Sequence, residues 1–309
     1  MRALRSGRAL VDRLIGRITD NERWLGRIFI APAVTYIFAL VGAPFALAVL
    51  YSFTNVSISS SKASFVGLDN FRRAIGDPAF RTALGNTFLF ASVSQAMVIV
   101  LASILAIALT KKFRGKWFVR LLVLLPWVAP VSLGSISWLW MFDSIYSVIN
   151  WTLRALGIFT HVWPIWLGQP KLAMAAIICV QVWRTLPLAT VILLGGLSSI
   201  PDDLHDAAEI DGASFFRHLF QITLPLILPI QLVALLFGFV FACTDMIVVY
   251  VLTRGGPYDS TQVLASLAFF KGIDGGDLAG GAATTLFLLP VLASAAIFML
   301  RLARRTEVI

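Results

Sequence analysis

The stretch Asp206–Pro229, DAAEIDGASFFRHLFQITLPLILP, sets acidic and small residues, a glycine and two prolines between two long apolar runs. Five of the sixteen acidic residues fall between Asp202 and Asp211. What an acid-rich segment does inside so apolar a chain decides the fold.

Its local pattern reads as helix, turn, helix. Ser198-Ser199-Ile200-Pro201-Asp202-Asp203 reads as a helix start, with a serine cap, a proline in the first turn and acids at the positive helix end. Leu204, Ala207, Ala208 and Ile210 form a small apolar face, while Asp203, Asp206 and Glu209 recur at i, i+3 and i+6. Gly212 is placed to end the helix in the left-handed conformation. A second short helix is expected over 214–222, running to Pro225, where the next apolar run begins. Such a knob either enters a partner's groove or is a connector packed against its own chain.

The surroundings are those of a membrane protein. The chain is 59% hydrophobic and 13% charged, against about 45–50% and about 25% in soluble globular proteins. Runs such as Leu84–Leu109 carry no charge, and a bilayer crossing takes about 20 mainly apolar residues. Six spans are expected: Ile28–Phe53, Asn86–Leu109, Phe118–Phe142, Leu172–Leu194, Leu226–Leu252 and Gly280–Leu300. Lipid-facing backbone must satisfy its own hydrogen bonds, so these are helices. The fold class is all-α, polytopic, with six transmembrane helices.

Basic residues orient the spans. Seven arginines precede the first span and five lysines and arginines lie in Lys111–Arg120. Sixteen against eight in total favours both termini in the cytoplasm. The expected organisation is a cytoplasmic N-terminal segment over 1–27, a six-helix membrane body over 28–300 and a cytoplasmic tail over 301–309. The acid-rich loop, 198–225, is then cytoplasmic. The N-terminal arginines are spaced among Leu10, Leu14, Ile15 and Ile18 as on an amphipathic surface helix, or form a disordered basic tail. The +9 net charge sits mostly in the ends and one tight loop, which suits topology and gives no nucleic-acid groove.

DAAEIDGA, followed by FxxIxLPxxxP as Phe220–Pro229, resembles the EAA loop of binding-protein-dependent ABC importer permeases. Asp206 stands where that family usually has Glu. FVGLDNFRRAIGDPAFRTALGNT (Phe65–Thr87), FRGKWFVRLLVLLPWVAP (Phe113–Pro130) and VYVLTRGGPYDSTQVL (Val249–Leu264) are similar, in the same order, to stretches of its carbohydrate branch, the maltose and glycerol-phosphate type. The resemblance implies a type I importer fold in a bacterial or archaeal inner membrane. It implies that Asp206, Ala207, Ala208, Asp211, Gly212 and Ala213 dock on an ATPase. It further implies two ATPase subunits carrying ATP and Mg, a second permease forming a heterodimer, an external solute-binding protein or lipoprotein, and a sugar substrate. This chain has no GxxxxGK[ST] phosphate loop, so it is expected to bind no cofactor and to catalyse nothing itself.

Ionisable residues within spans are costly and mark function by default. Arg184 lies in the fourth span and Asp245 in the fifth. Gln181, Arg184, Thr185 and Leu188 share one helical face, and Gly238, Phe241, Ala242 and Asp245 share another. Polar groups beside an aromatic suit a sugar, and in the family matching positions face bound substrate. The alternative is an Arg184–Asp245 ion pair that only joins two helices. Pro187 permits a bend. Gly255, Gly256 and Pro257 read as a tight external turn, which the resemblance makes a gate or binding-protein contact. Trp151, Trp163 and Trp166, around His161, read as interfacial anchors.

Competing functions are uptake of glycerol-phosphate or another anionic polyol, with Arg184 as charge partner, and ion-coupled transport through Asp245. Paired carboxylates, HExxH and a Ser/Lys dyad are all missing from the spans, which disfavours an intramembrane enzyme. The histidines lack metal-ligand spacing. Cys179 and Cys243 lie in apolar runs and read as packing residues.

Overall fold

A computed structural model describes residues 22–60, 63–158 and 164–306. Most of the expected surface helix over 1–27 and both His161 and Trp163 lie outside the described residues. The chain divides into two units, Met1–Tyr51 and Ser52–Ile309. In the first, α1 (Glu22–Ile37) joins α2 (Ala43–Ser52) through a π turn, Phe38–Gly42, giving one long apolar helix.

The second unit is organised by three helices, α4 (Pro78–Thr110), α8 (Pro170–Leu197) and α11 (Leu224–Thr244). They follow α3 (Asp69–Gly76) and are interleaved with α5 (Lys116–Val128), α6 (Val131–Met141), α7 (Val148–Ala155), α9 (Asp202–Ile210) and α10 (Phe215–His218). Beyond them come α12 (Ile247–Leu252), α13 (Leu264–Phe269), α14 (Leu278–Leu286) and α15 (Leu288–Thr306). Among the described residues there is no strand, only two isolated bridges at Thr54–Phe65 and Ser57–Ser60.

Small residues set the spacing of the core. Along α4, Ala83, Ala91, Ala102 and Ala106 are fully buried, and α8 packs against this helix more extensively than any other pair of elements. Inside a bilayer, side chains gain little by leaving lipid, so close backbone approach through small residues is what holds helices together. Gly196 shows the tolerance: a Cβ there would lie 2.7 Å from Ile230 Cδ1. Asp77 caps α4 by accepting the Ala79 N–H at 2.9 Å, with Pro78 in the first turn.

Among the described residues, five helices are long and apolar enough to cross a membrane, and a bent pair brings the number to six. Several expected boundaries are corrected. The third span, expected as one helix over Phe118–Phe142, is α5 and α6 meeting at 98°. Ala129 and Pro130 are both extended, because a residue before proline is driven out of the α region. The second span starts earlier, at Pro78, so Phe65–Thr87 is only partly a loop. The fifth span stops at Thr244, where Asp245 turns extended before α12 begins. α8 continues unbroken through Pro187.

The segment after α8 is also corrected in detail. Ser198 and Ser199 donate back to Leu194 O at 2.8 Å and Gly196 O at 2.7 Å, closing α8 instead of opening α9. Pro201 occupies the cap position of α9. The second short helix does not stop before Pro225. α10 passes through a π turn, Leu219–Thr223, directly into α11, so one 30-residue helical run extends from Phe215 to Thr244.

Candidate functional site

Two regions carry the chemistry expected from the sequence. The first is the turn after α9. Gly212 has φ +71°, its N–H bonds Glu209 O at 3.0 Å, and the Ala213 N–H bonds Ala208 O at 3.0 Å. This paired pattern is a Schellman ending, and the expected left-handed glycine is present. Ser214 then caps α10, accepting the Arg217 N–H at 3.4 Å.

The apolar face expected on this knob is mostly exposed. Ala208 is the one buried residue of α9. Leu204 is 44% exposed, Ile210 86% and Phe216 69%. Asp206, Ala207 and Asp211 are exposed, and Ala213 is half-buried. His205 and His218, not singled out from the sequence, face each other with Nδ1 and Nε2 2.8 Å apart. Two histidines thirteen residues apart across a glycine turn were the available signal.

The second region is polar groups at the centre of the helical core. Arg184 of α8 donates to Asp245 Oδ2, while Asp245 Oδ1 accepts the Ile247 N–H at 2.7 Å. The carboxylate therefore bridges the break between α11 and α12 and the cation beside it. Asp245 is not on the expected helical face of α11, because the helix ends before it. Phe241 is 47% exposed while Ala242 is fully buried, so the four residues grouped by spacing do not share one environment.

Gln181 is fully buried, and among the described residues neither its Nε2 nor its Oε1 has a hydrogen-bond partner. Thr185, one turn on, is buried and donates to Gln181 O at 2.8 Å. Leu188 is half-buried. Gly238 packs on Gln95 of α4: a Cβ at 238 would fall 1.9 Å from Gln95 Oε1. Gln95 was not read from the sequence, since an uncharged amide in an apolar run gives little signal. Cys243 is buried as expected, but Cys179 is exposed.

At the opposite end of the bundle from Gly212, the Gly255-Gly256-Pro257 turn is tightly held. Gly255 has φ +88°, and a Cβ there would lie 1.5 Å from Gln262 Oε1. Asn86 Nδ2 reaches the carbonyls of Ser260 and Gln262, each at 3.0 Å, and of Asp259 at 3.3 Å. Thr261 Oγ1 donates to Gly256 O at 2.7 Å. Tyr258, 94% exposed, stands at the tip. Nearby, the Lys271 ammonium on the Asp77 carboxylate holds that acid below its ordinary value, helped by the Ala79 N–H and opposed by burial. Trp166 is half-buried, donating to Asn150 Oδ1 at 2.8 Å and packing on Phe142, whereas Trp151 is exposed.

Two clefts lie away from the ion pair. One, of about 450 Å³, is lined by Asn70, Arg73, Asp77 and Lys271. The other, of about 690 Å³, lies behind α9 and is lined by Lys111, Lys116, Arg120 and His218 among others.

Residues 98–308 match the model of a family described as binding-protein-dependent transport system inner membrane component. The chain is 33% identical over 294 residues to the trehalose/maltose transport system permease protein MalF of Thermococcus litoralis, covering 95% of this chain and 98% of that one. It is 32% identical over 288 residues to the sulfoquinovosyl glycerol transport system permease protein SmoG of Agrobacterium fabrum, covering 93% and 92%. Among solved structures, a chain of a bacterial ABC transporter involved in the import of the acidic polysaccharide alginate superposes with a TM-score of 0.81 at 20% identity, covering 95% and 99%. That likeness concerns the fold.

Proposed function

Because the chain belongs to the binding-protein-dependent transport system inner membrane component family, we propose that it passes an oligo- or disaccharide from an external binding protein into the cytoplasm. In this reading it pairs with a second permease in the inner membrane, and two ATPase subunits supply the ATP and Mg. Both termini and the Gly212 knob are cytoplasmic. The observation that carries the coupling role is the exposure of Leu204, Ile210 and Phe216 on a rigidly capped turn. Apolar groups on such a turn are suited to burial in a partner's groove.

Each end has a task in this scheme. The ATPase pair closes on the knob, and the one helical run from Phe215 to Thr244 carries the displacement to the level of Asp245. There the α11–α12 break and the Arg184 pair form the element that opens the path. Gln181 and Thr185 supply hydrogen-bonding groups for sugar hydroxyls. The Asn86-braced Gly255 turn receives the binding protein outside.

A neutral sugar is favoured over an anionic polyol by one observation: the Arg184 charge is already neutralised by Asp245. An anion would have to displace that carboxylate. The test is uptake over a panel of neutral and anionic saccharides in cells carrying the intact transporter. Uptake of a neutral di- or oligosaccharide that is lost with Asp206→Lys or Gly212→Pro, together with ATPase co-purification, is the expected result. An ATPase that still co-purifies and turns over normally with both variants would overturn the docking role.

A further inference from the structure

α9 is attached to its own chain by little. Ala208 is its one buried residue, and a cleft of about 690 Å³ lies behind it. Among the described residues, one side-chain hydrogen bond ties α9 to another element, His205 Nδ1 to His218 Nε2 at 2.8 Å. The chain of contacts continues, because His218 Nδ1 lies 3.2 Å from Thr223 Oγ1. His218 and Thr223 are five residues apart, a separation that the π turn at Leu219–Thr223 brings together. Thr223 is buried at the base of α11.

We propose that His205, His218 and Thr223 form the tether through which α9 moves α11, making the two histidines positioning residues for coupling. The inference rests on the reading that α9 docks on an ATPase. A helix held only by its two flanking turns, at residues 198–201 and at Gly212, would pivot when pushed, and the displacement would dissipate in the cleft. The imidazole pair makes α9 and α11 move as one body.

The bond needs one ring to donate and the other to accept.

The test uses the complex purified with its ATPase subunits. Spin labels at Asp203→Cys on α9 and Leu226→Cys on α11, in a Cys179→Ser background, report the spacing of the two helices. A single narrow distance distribution is expected for the complex with both histidines intact, and His218→Ala should lose it. The double variant His205→Asn with His218→Gln places amides where Nδ1 and Nε2 stood and should keep the narrow distribution. A distribution that stays narrow in His218→Ala would overturn the tether. A wild-type complex that retains no ATPase would overturn the docking reading and the tether with it.

Discussion

Asp245 accepts the first N–H of α12, that of Ile247, with one carboxylate oxygen and receives the Arg184 guanidinium with the other. Removing either partner leaves a part-buried charge unpaired, which costs less than the about 3–5 kcal/mol of a fully buried pair. Removing both charges together avoids that cost. Arg184→Met and Asp245→Asn should each lower the unfolding midpoint of the purified protein more than the double variant does. Asparagine keeps an oxygen for the Ile247 N–H, so the comparison isolates the charge. A double variant as unstable as the sum of the two singles would show that the pair has no mutual stabilisation.

The Gly212 ending makes a second, graded expectation. No atom lies within 4 Å of a Cβ added there, so Gly212→Ala suffers only from its positive φ, about 1–2 kcal/mol. Asn tolerates that conformation better. Hydrogen-exchange protection of the α9 amides should fall in the order wild type, Gly212→Asn, Gly212→Ala. Equal protection in all three would mean that the turn does not hold the helix.

The Gly212 turn was legible in the sequence because its signal is local: a left-handed glycine after a short acidic helix is written in adjacent residues. The long spans were legible for the same reason, through run length. The breaks at Pro130 and Asp245 were not. Apolar composition continues across both, and hydropathy does not register a backbone that turns. Asp245 shows the consequence, since helical spacing grouped it with Phe241 and Ala242 although the helix ends one residue earlier. The Gln95–Gly238 and His205–His218 contacts join residues far apart in sequence or across a turn, and nothing in either stretch alone specifies the partner.

The Gln95–Gly238 contact predicts a steric suppressor. A methyl group at 238 would land on Gln95 Oε1, and both residues lie in well-packed helices. Gly238→Ala should destabilise the protein by about 1–3 kcal/mol, the usual cost of overpacking. Adding Gln95→Ala removes the colliding amide and should recover most of the loss in a thermal unfolding assay. If Gln95→Ala gives no recovery, the clash is not the cause.

The Asp77–Lys271 pair sets a pH dependence of known sign. Its carboxyl lies below the ordinary value of 3.8 in the folded protein. The pair therefore contributes stability above that value and loses it as pH falls through the lowered folded value. Lys271→Gln should make acid unfolding in that range shallower, while leaving the curve near neutrality displaced but parallel. An unchanged acid limb would assign the pair no linkage to folding.

Gln181 offers a way to separate folding from transport. Its side-chain amide is fully buried without a partner among the described residues, and such a group costs about 1–3 kcal/mol where it stays unsatisfied. If its only task were packing, Gln181→Leu would be neutral or stabilising and transport would be unaffected. If the amide is kept for a partner that arrives during transport, a sugar hydroxyl or a group exposed in another conformation, stability and activity should part. Gln181→Leu is expected to raise the unfolding midpoint while reducing saccharide uptake by the assembled transporter. Gln181→Asn, which keeps both polar atoms on a shorter stem, should fall between the two in uptake. Retained uptake in the more stable Leu variant would remove Gln181 from the path and leave it as an unsatisfied core residue.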